Sequence, residues 1–281
     1  GHESAIRRLL DPITEMGGRV DFIVTDNIFV KSQFTKKDDF TWESYEEAVE
    51  AYATFVAGIK AKYPSIRIGI IEAAFRFYWE DEDRFPAEGH SKKMYGDLKT
   101  VLEDVIAACK RRGTRLDLFQ PEYSYSRIEA TKNGWEKLKA METFCNEQGM
   151  GFIFLFNDHD GGNESGELFH KNVIHCLNEV KRNGLRPSMG TIQSWYEHPE
   201  EELPEEKPHT FMHLAKAFIE TNATSSWVEL VGKKNSSFRC KVISVGEDYV
   251  QVVHPSNGKA VKVPFSLLTE KTIATVKGLG R

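Results

Sequence analysis

The sequence lacks a long hydrophobic run. No stretch approaches the ~18–20 continuous apolar residues a membrane helix needs, and no charged-then-apolar leader opens it, so no membrane partner is expected. It also lacks an excess of positive charge. Against 42 Asp and Glu there are 37 Lys and Arg, a formal net charge of −5, so the basic footprint of a nucleic-acid binder is missing and nucleic acid is not an expected partner. Cysteine is scarce: Cys109, Cys145, Cys176 and Cys240 have no Cys-x-x-Cys spacing, and three lie in helical patterns among apolar neighbours, as buried free thiols do. The redox compartment stays open.

Several motifs are missing as well. No Gly-x-Gly-x-x-Gly follows any strand pattern, which ranks a nucleotide-binding doubly wound sheet low. There is no Gly-x-Ser-x-Gly elbow, which removes the common serine-hydrolase arrangement. His170 and His175 are five apart on one helical pattern, the wrong spacing for one face, so a zincin site is not expected. The polar run Asn157-Asp158-His159-Asp160-Gly161-Gly162-Asn163-Glu164 lacks the glycine and glutamate spacing of a calcium loop. No metal and no cofactor are therefore expected, and the run reads as a ligand-facing loop ending at Ser165, an N-cap for the next helix.

What is present alternates. Ala5, Ile6, Leu9, Leu10 and Ile13 keep helical spacing up to Gly17-Gly18, and Val20 to Val24 then reads as a short buried strand ending in Thr25-Asp26-Asn27. Tyr45 to Ile59 carries a 3.6-residue stripe closed by Tyr63-Pro64, and Ile66 to Ile71 ends at Glu72. The cycle repeats three times. Met94 to Ile106 stops at Gly113 before Leu116 to Phe119 and Gln120-Pro121-Glu122. A helix around Trp135 to Cys145 stops at Gly149 before Phe152 to Phe156 and Asn157-Asp158. Leu168 to Val180 stops at Gly184 before Pro187 to Ile192 and Gln193-Ser194-Trp195.

Five strands alternating with helices build a parallel α/β sheet, and apolar strands with polar carboxyl ends match a (β/α) TIM-type barrel with its site on that rim. Five strands do not close an eight-stranded barrel. Either three N-terminal units are missing from this chain, or the sheet is open or completed by another chain.

After Pro199 an acidic, proline-containing run leads into a helix near Thr210 to Ile219 and then a polar linker, Thr221 to Ser226. Beyond it the period changes to two. Phe238, Cys240 and Val242 alternate with polar residues, Tyr249 to Val253 forms another strand, and Asn257-Gly258 signals a hairpin before Ala260 to Phe265. The expected division is a barrel portion over 1–222 and a small all-β domain over 225–281.

The strand-end segments Gly17-Gly18-Arg19-Val20-Asp21-Phe22 through Asp26, Tyr63-Pro64 through Glu72, and Gln193-Ser194-Trp195 with Pro199 and Leu203-Pro204-Glu205 resemble a glycoside-hydrolase-like TIM-barrel family of bacteria, in its later part, about strands four to eight. The tail, with Trp227, Gly232, Phe238 to Val242, Gly258-Lys259 and Val261-Lys262-Val263-Pro264-Phe265-Ser266-Leu267-Leu268, resembles the SH3-like SHD1 domain. The first resemblance implies a glycan substrate or ligand and an extracellular or periplasmic place. The second implies a peptide or protein partner for the tail.

Glycoside hydrolysis needs two carboxylates flanking the scissile bond. Asp26 and Glu72 end adjacent strands and are the expected catalytic pair. Related barrels carry Asp-Glu-Pro where this chain has Asp26-Asn27-Ile28, and this departure favours the alternative of a noncatalytic carbohydrate-binding or scaffold protein. Asn27, Gln120, Glu122, Asn157, Asp158 and Gln193 are the expected polar contacts to the glycan, with Glu122 and Asp158 able to stand in for a missing acid. Trp195 is expected to stack on a pyranose face, and Phe75, Phe77, Tyr78, Trp79, Tyr123 and Tyr125 to enrich the same rim.

Overall fold

The computed structural model describes residues 2–29, 44–79, 96–225, 227–231, 237–245, 248–253, 260–270 and 272–273. Met94, Gly232, the Asn257-Gly258 hairpin and Gly258-Lys259 lie outside them. The chain divides into two compact units, Gly1–Glu201 and Glu202–Arg281.

The first unit opens with helix α1 (His2–Ala5), a π turn over Ile6–Leu10 and helix α2 (Asp11–Glu15). Strands β1 (Phe22–Asp26), β2 (Arg67–Glu72), β3 (Leu118–Pro121), β4 (Gly151–Phe156) and β5 (Met189–Ile192) follow, all parallel, lying side by side in chain order. Right-handed crossovers between strands in that order keep the helices on one face. A doubly wound sheet reverses its order partway and covers both faces. The result is a curled five-stranded half-barrel, consistent with an incomplete TIM-type barrel. Strand β1 begins two residues later than its periodicity predicts, because Phe22–Asp26 is the stretch in register with 67–71.

The helices start and stop where local chemistry requires. Ser44 caps α3 (Tyr45–Lys62) by accepting from the Glu47 N–H at 3.1 Å. Asp97 caps α4 (Leu98–Arg111) by accepting from Lys99 and Thr100. After α5 (Tyr125–Ala130) come α6 (Gly134–Glu147), α7 (His159–Glu164) and α8 (Gly166–Arg182), the last capped by Ser165 as expected. Gly113, Gly149 and Gly184 each follow a long helix at φ +67°, where a side chain would be strained.

Register and pleat assign each strand residue to a face. Thr25, paired with Ile70, donates to the Tyr52 hydroxyl of α3, and Phe154 stacks on Trp135 of α6 at 6.2 Å between ring centroids. These residues, with Ile68 and Glu72, therefore face the helices. Val24, Asp26, Gly69, Ile71, Leu118 and Gln120 face the other way, the inner face of the half-barrel. Gly69 marks how close that inner packing is. A Cβ there would meet the Leu118 Cβ at 2.5 Å and the Val24 Cγ1 at 2.9 Å.

Cys109, Cys145 and Cys176 are free thiols in the buried core, and only the backbone of Cys240 is described. Burial pushes the Cys109 thiol up to about 11 and the Cys145 thiol up to about 12, and holds Cys176 well above its ordinary value. The thiolate is the reactive form. These three cysteines are expected to resist iodoacetamide at pH 8 in the folded protein and to react once it is unfolded. Intact-mass measurement checks this, and rapid alkylation of the native chain at any of them would contradict it.

In the second unit α9 (Phe211–Ser225) leads into β6 (Trp227–Val231), β7 (Ser237–Val245), β8 (Tyr249–Val253) and β9 (Ala260–Pro264), an antiparallel sheet in chain order. The segment Thr221 to Ser225, expected as linker, is helical, since no Gly or Pro interrupts it. The boundary between units therefore lies before this helix, and the second unit is not purely β. Val250, Val252, Phe265 and Leu268 are buried within it.

Candidate functional site

Asp26 and Glu72 both end strands, but not on the same side. Asp26 pairs with Ile71, and the pleat turns the next residue, Glu72, to the opposite face. Glu72 is fully buried, and its Oε1 accepts from the Phe29 N–H at 2.9 Å. It lies near α3: burial raises the Tyr52 hydroxyl above its ordinary value, and the Glu72 charge adds to the rise. The two residues thus do not face each other across one cleft.

A different pair is brought together by Asn27. Its backbone is left-handed at φ 50°, a region Asn tolerates better than most residues, and its N–H donates to the Ile71 carbonyl at 2.8 Å. The side-chain Oδ1 accepts from the Ala73 N–H at 2.9 Å, which fixes the orientation of the amide. Its Nδ2 then donates both hydrogens, one to Asp26 Oδ1 at 2.8 Å and one to Glu122 Oε2 at 2.6 Å. Two carboxylate oxygens, one from the end of β1 and one from the residue after β3, are so bridged by a single nitrogen. The Glu122 N–H donates to the Glu72 carbonyl at 2.8 Å and continues the β2–β3 ladder past its last strand residue.

Glu122 also lines a cavity of ≈ 180 Å³ formed by residues that follow four of the five strands. Phe75 comes from the 3₁₀ turn Ala74–Arg76 after β2, and Ser124 and Arg127 come from the β3 loop and α5. His159 comes from α7, and Trp195 and Tyr196 from the segment after β5. Tyr196 meets His159 edge-on at 5.1 Å and Trp195 at 6.4 Å between ring centroids. Gly162 makes room for it, because a Cβ there would lie 2.4 Å from the Tyr196 ring. Trp195 is 42% exposed, a large aromatic face left open to solvent. The Arg127 guanidinium lies over the Phe75 ring at 5.2 Å.

The remaining expected contacts occupy varied places. Gln120 is buried on the inner face, where its Oε1 accepts from the Thr191 hydroxyl at 3.4 Å. Asn157 is fully buried. Its carbonyl accepts from the Tyr125 N–H at 2.8 Å, while neither side-chain amide atom has a partner among the described residues. Asp158 is fully buried and accepts from the Gly161 N–H at 2.6 Å, the Asn172 amide at 2.8 Å and the Ser126 N–H at 3.1 Å. It caps α7, so the run expected as a ligand-facing loop is a helical turn. The Gln193 N–H donates to the Phe156 carbonyl at 3.2 Å. Of the rim aromatics, Phe75 lines the cavity, whereas Phe77, Trp79, Tyr123 and Tyr125 are buried, Trp79 against Phe144 at 5.7 Å.

Sequence reasoning missed Ser124, Arg127 and Tyr196, and took in His159 only as part of the polar run. Tyr196 had a signal in its place beside Trp195 at a strand end. Among the described residues no group of three His, Cys, Asp or Glu could hold a metal ion.

No protein-family model matches the chain, and no curated protein matches it. Among solved structures, a D-psicose 3-epimerase crystallised in the presence of D-fructose is similar with a TM-score of 0.35 and 10% identity, over 78% of this chain and 76% of that one. The Bacillus subtilis YkuI protein, which has an EAL domain and was solved with substrate c-di-GMP and calcium, is similar with a TM-score of 0.32 and 11% identity. That match takes in 99% of this chain and 64% of the other. At these values both are distant similarities, and neither says what this chain does.

Proposed function

We propose that this chain is a carbohydrate-active protein, a glycoside hydrolase working at the carboxyl rim of the half-barrel with Asp26 and Glu122 as its carboxylates. The observation that carries the reading is the Asn27 amide, which donates to both at once. Retaining glycosidases hold two carboxyl groups ~5–5.5 Å apart, one as nucleophile and the other as acid and then base. Carboxylates bridged by one amide nitrogen belong with that short spacing rather than with the ~6.5–9.5 Å of inverting enzymes. Glu122 lines the cavity and is the group positioned to reach the glycosidic oxygen of a ring stacked on Trp195. Glu72, on the helix side of the sheet, has a structural part in this reading.

A panel of aryl glycosides incubated with the wild type and with Asp26→Asn tests it. Turnover by the wild type, with release of the retained anomer, and its loss in the variant are expected. Sugar binding with no turnover on any glycoside would instead favour the noncatalytic carbohydrate-binding reading, to which the Asn27 departure points.

For the tail, the chain-order antiparallel sheet, its register shift between Val242 and Ser244 and the 3₁₀ turn Phe265–Leu267 support an SH3-like unit with a peptide partner. In that reading the tail takes no part in sugar chemistry.

A further inference from the structure

Arg127 is the guanidinium of the cavity, and it makes no ion pair among the described residues. Arg111 and Arg112, by comparison, pair with Glu50, Arg115 with Asp117 and Arg182 with Glu179. Glu122 lines the same cavity and accepts from the Asn27 amide. The Arg127 side chain lies against the Phe75 ring, which takes a face of the guanidinium and leaves its in-plane N–H donors available.

Beside it, Ser124 lines the cavity with a buried hydroxyl, 3% exposed as a residue, that has no hydrogen-bond partner among the described residues. Ser124 stands at the N-cap position of α5, where a serine oxygen ordinarily accepts from the helix, but it makes no such bond. A buried polar atom without a protein partner points to a ligand or ordered water. A guanidinium fork and an unengaged hydroxyl converge on one cavity.

We infer that this cavity takes an acidic sugar, a uronic acid, with its carboxylate on Arg127 and Ser124 and its ring against Trp195. The inference rests on the carbohydrate reading above and adds the substrate class. A planar carboxylate matches a guanidinium in a two-bond fork. A phosphate monoester carries about −1.5 to −2 charges, which one guanidinium beside the Glu122 carboxylate balances poorly. The volume of ≈ 180 Å³ is below the ~300–1,000 Å³ of pockets for drug-sized ligands and suits one small ring.

The test is calorimetric titration of the full chain with methyl glycosides of D-glucuronate and D-galacturonate, their neutral counterparts from D-glucose and D-galactose, and inorganic phosphate. At least one uronide is expected to bind about tenfold or more tightly than its neutral counterpart. Arg127→Ala should erase that preference, Arg127→Lys should keep part of it, and Ser124→Ala should reduce it. Equal binding of uronide and neutral sugar by the wild type would overturn the inference and leave the carbohydrate reading standing. A preference that survives in Arg127→Ala, or phosphate binding more tightly than any uronide, would also overturn it. If none of the four glycosides binds, the carbohydrate reading itself fails, and the inference with it.

Discussion

Glu122→Gln is expected to lower glycoside turnover by about 10²–10⁴-fold, the usual share of general acid–base catalysis in a rate. The change removes the ionisable group and keeps the shape of the side chain. A glutamine keeps the length of the side chain and a carbonyl oxygen that can still accept from Asn27 Nδ2, so the bridge to Asp26 survives in part. Sugar affinity and melting temperature should therefore stay close to wild type, and the loss should fall on kcat. Steady-state kinetics on an activated aryl glycoside, with calorimetry for binding, separates these quantities. Wild-type kcat in the variant would remove Glu122 from the chemistry. A collapse of melting temperature would show that its role is structural.

The second large effect is on stability. Asp117, just before β3, is 6% exposed and gathers three donors: Lys60 from α3, the Arg115 Nε at 2.8 Å and the Ile68 N–H of β2 at 2.9 Å. It joins helix, loop and strand through one carboxylate. Asp117→Ala leaves Lys60, whose side chain is 17% exposed, without its counter-charge and the Ile68 N–H without its side-chain acceptor. Breaking a buried pair in this way costs about 3–5 kcal/mol, more than the pair itself contributes. For a unit of this size that is a fall in melting temperature on the order of 10 °C. Urea and thermal unfolding of the wild type and variant measure it. Lys60→Met added to Asp117→Ala should recover part of the loss by removing the stranded charge, and an unchanged urea midpoint in the single variant would contradict the argument.

The alternation of strand and helix was legible because apolar stripes, glycine stops and polar strand ends all agree on it. The helix stops at Gly113, Gly149 and Gly184 lie where the composition points. The facing of Asp26 and Glu72 was not legible. It turns on a single residue of register, Asp26 opposite Ile71 rather than Glu72, and strands that read as continuous apolar runs carry no alternation from which to count. The Asn27 bridge was hidden for a related reason, since Asn27 and Glu122 are 95 residues apart and meet only through two strand ladders. The polar run from Asn157 to Glu164 misled by composition. Two glycines and an Asp cap read as loop residues, yet here they let a short helix pack closely, with Gly161 against the Phe169 backbone and Gly162 beneath Tyr196.

The strand order of the first unit bears on how the chain assembles. Each strand of this half-barrel takes as its neighbour the strand just before it in sequence, so no strand must wait for a distant segment. Closing each loop costs entropy that grows only slowly with its length, and here every closure is repaid by the next unit to form. Such a chain can grow by accretion, β/α unit upon β/α unit, in the direction in which a ribosome delivers it. The Asn27 bridge becomes available as soon as the third strand docks, before the last two strands have been laid down.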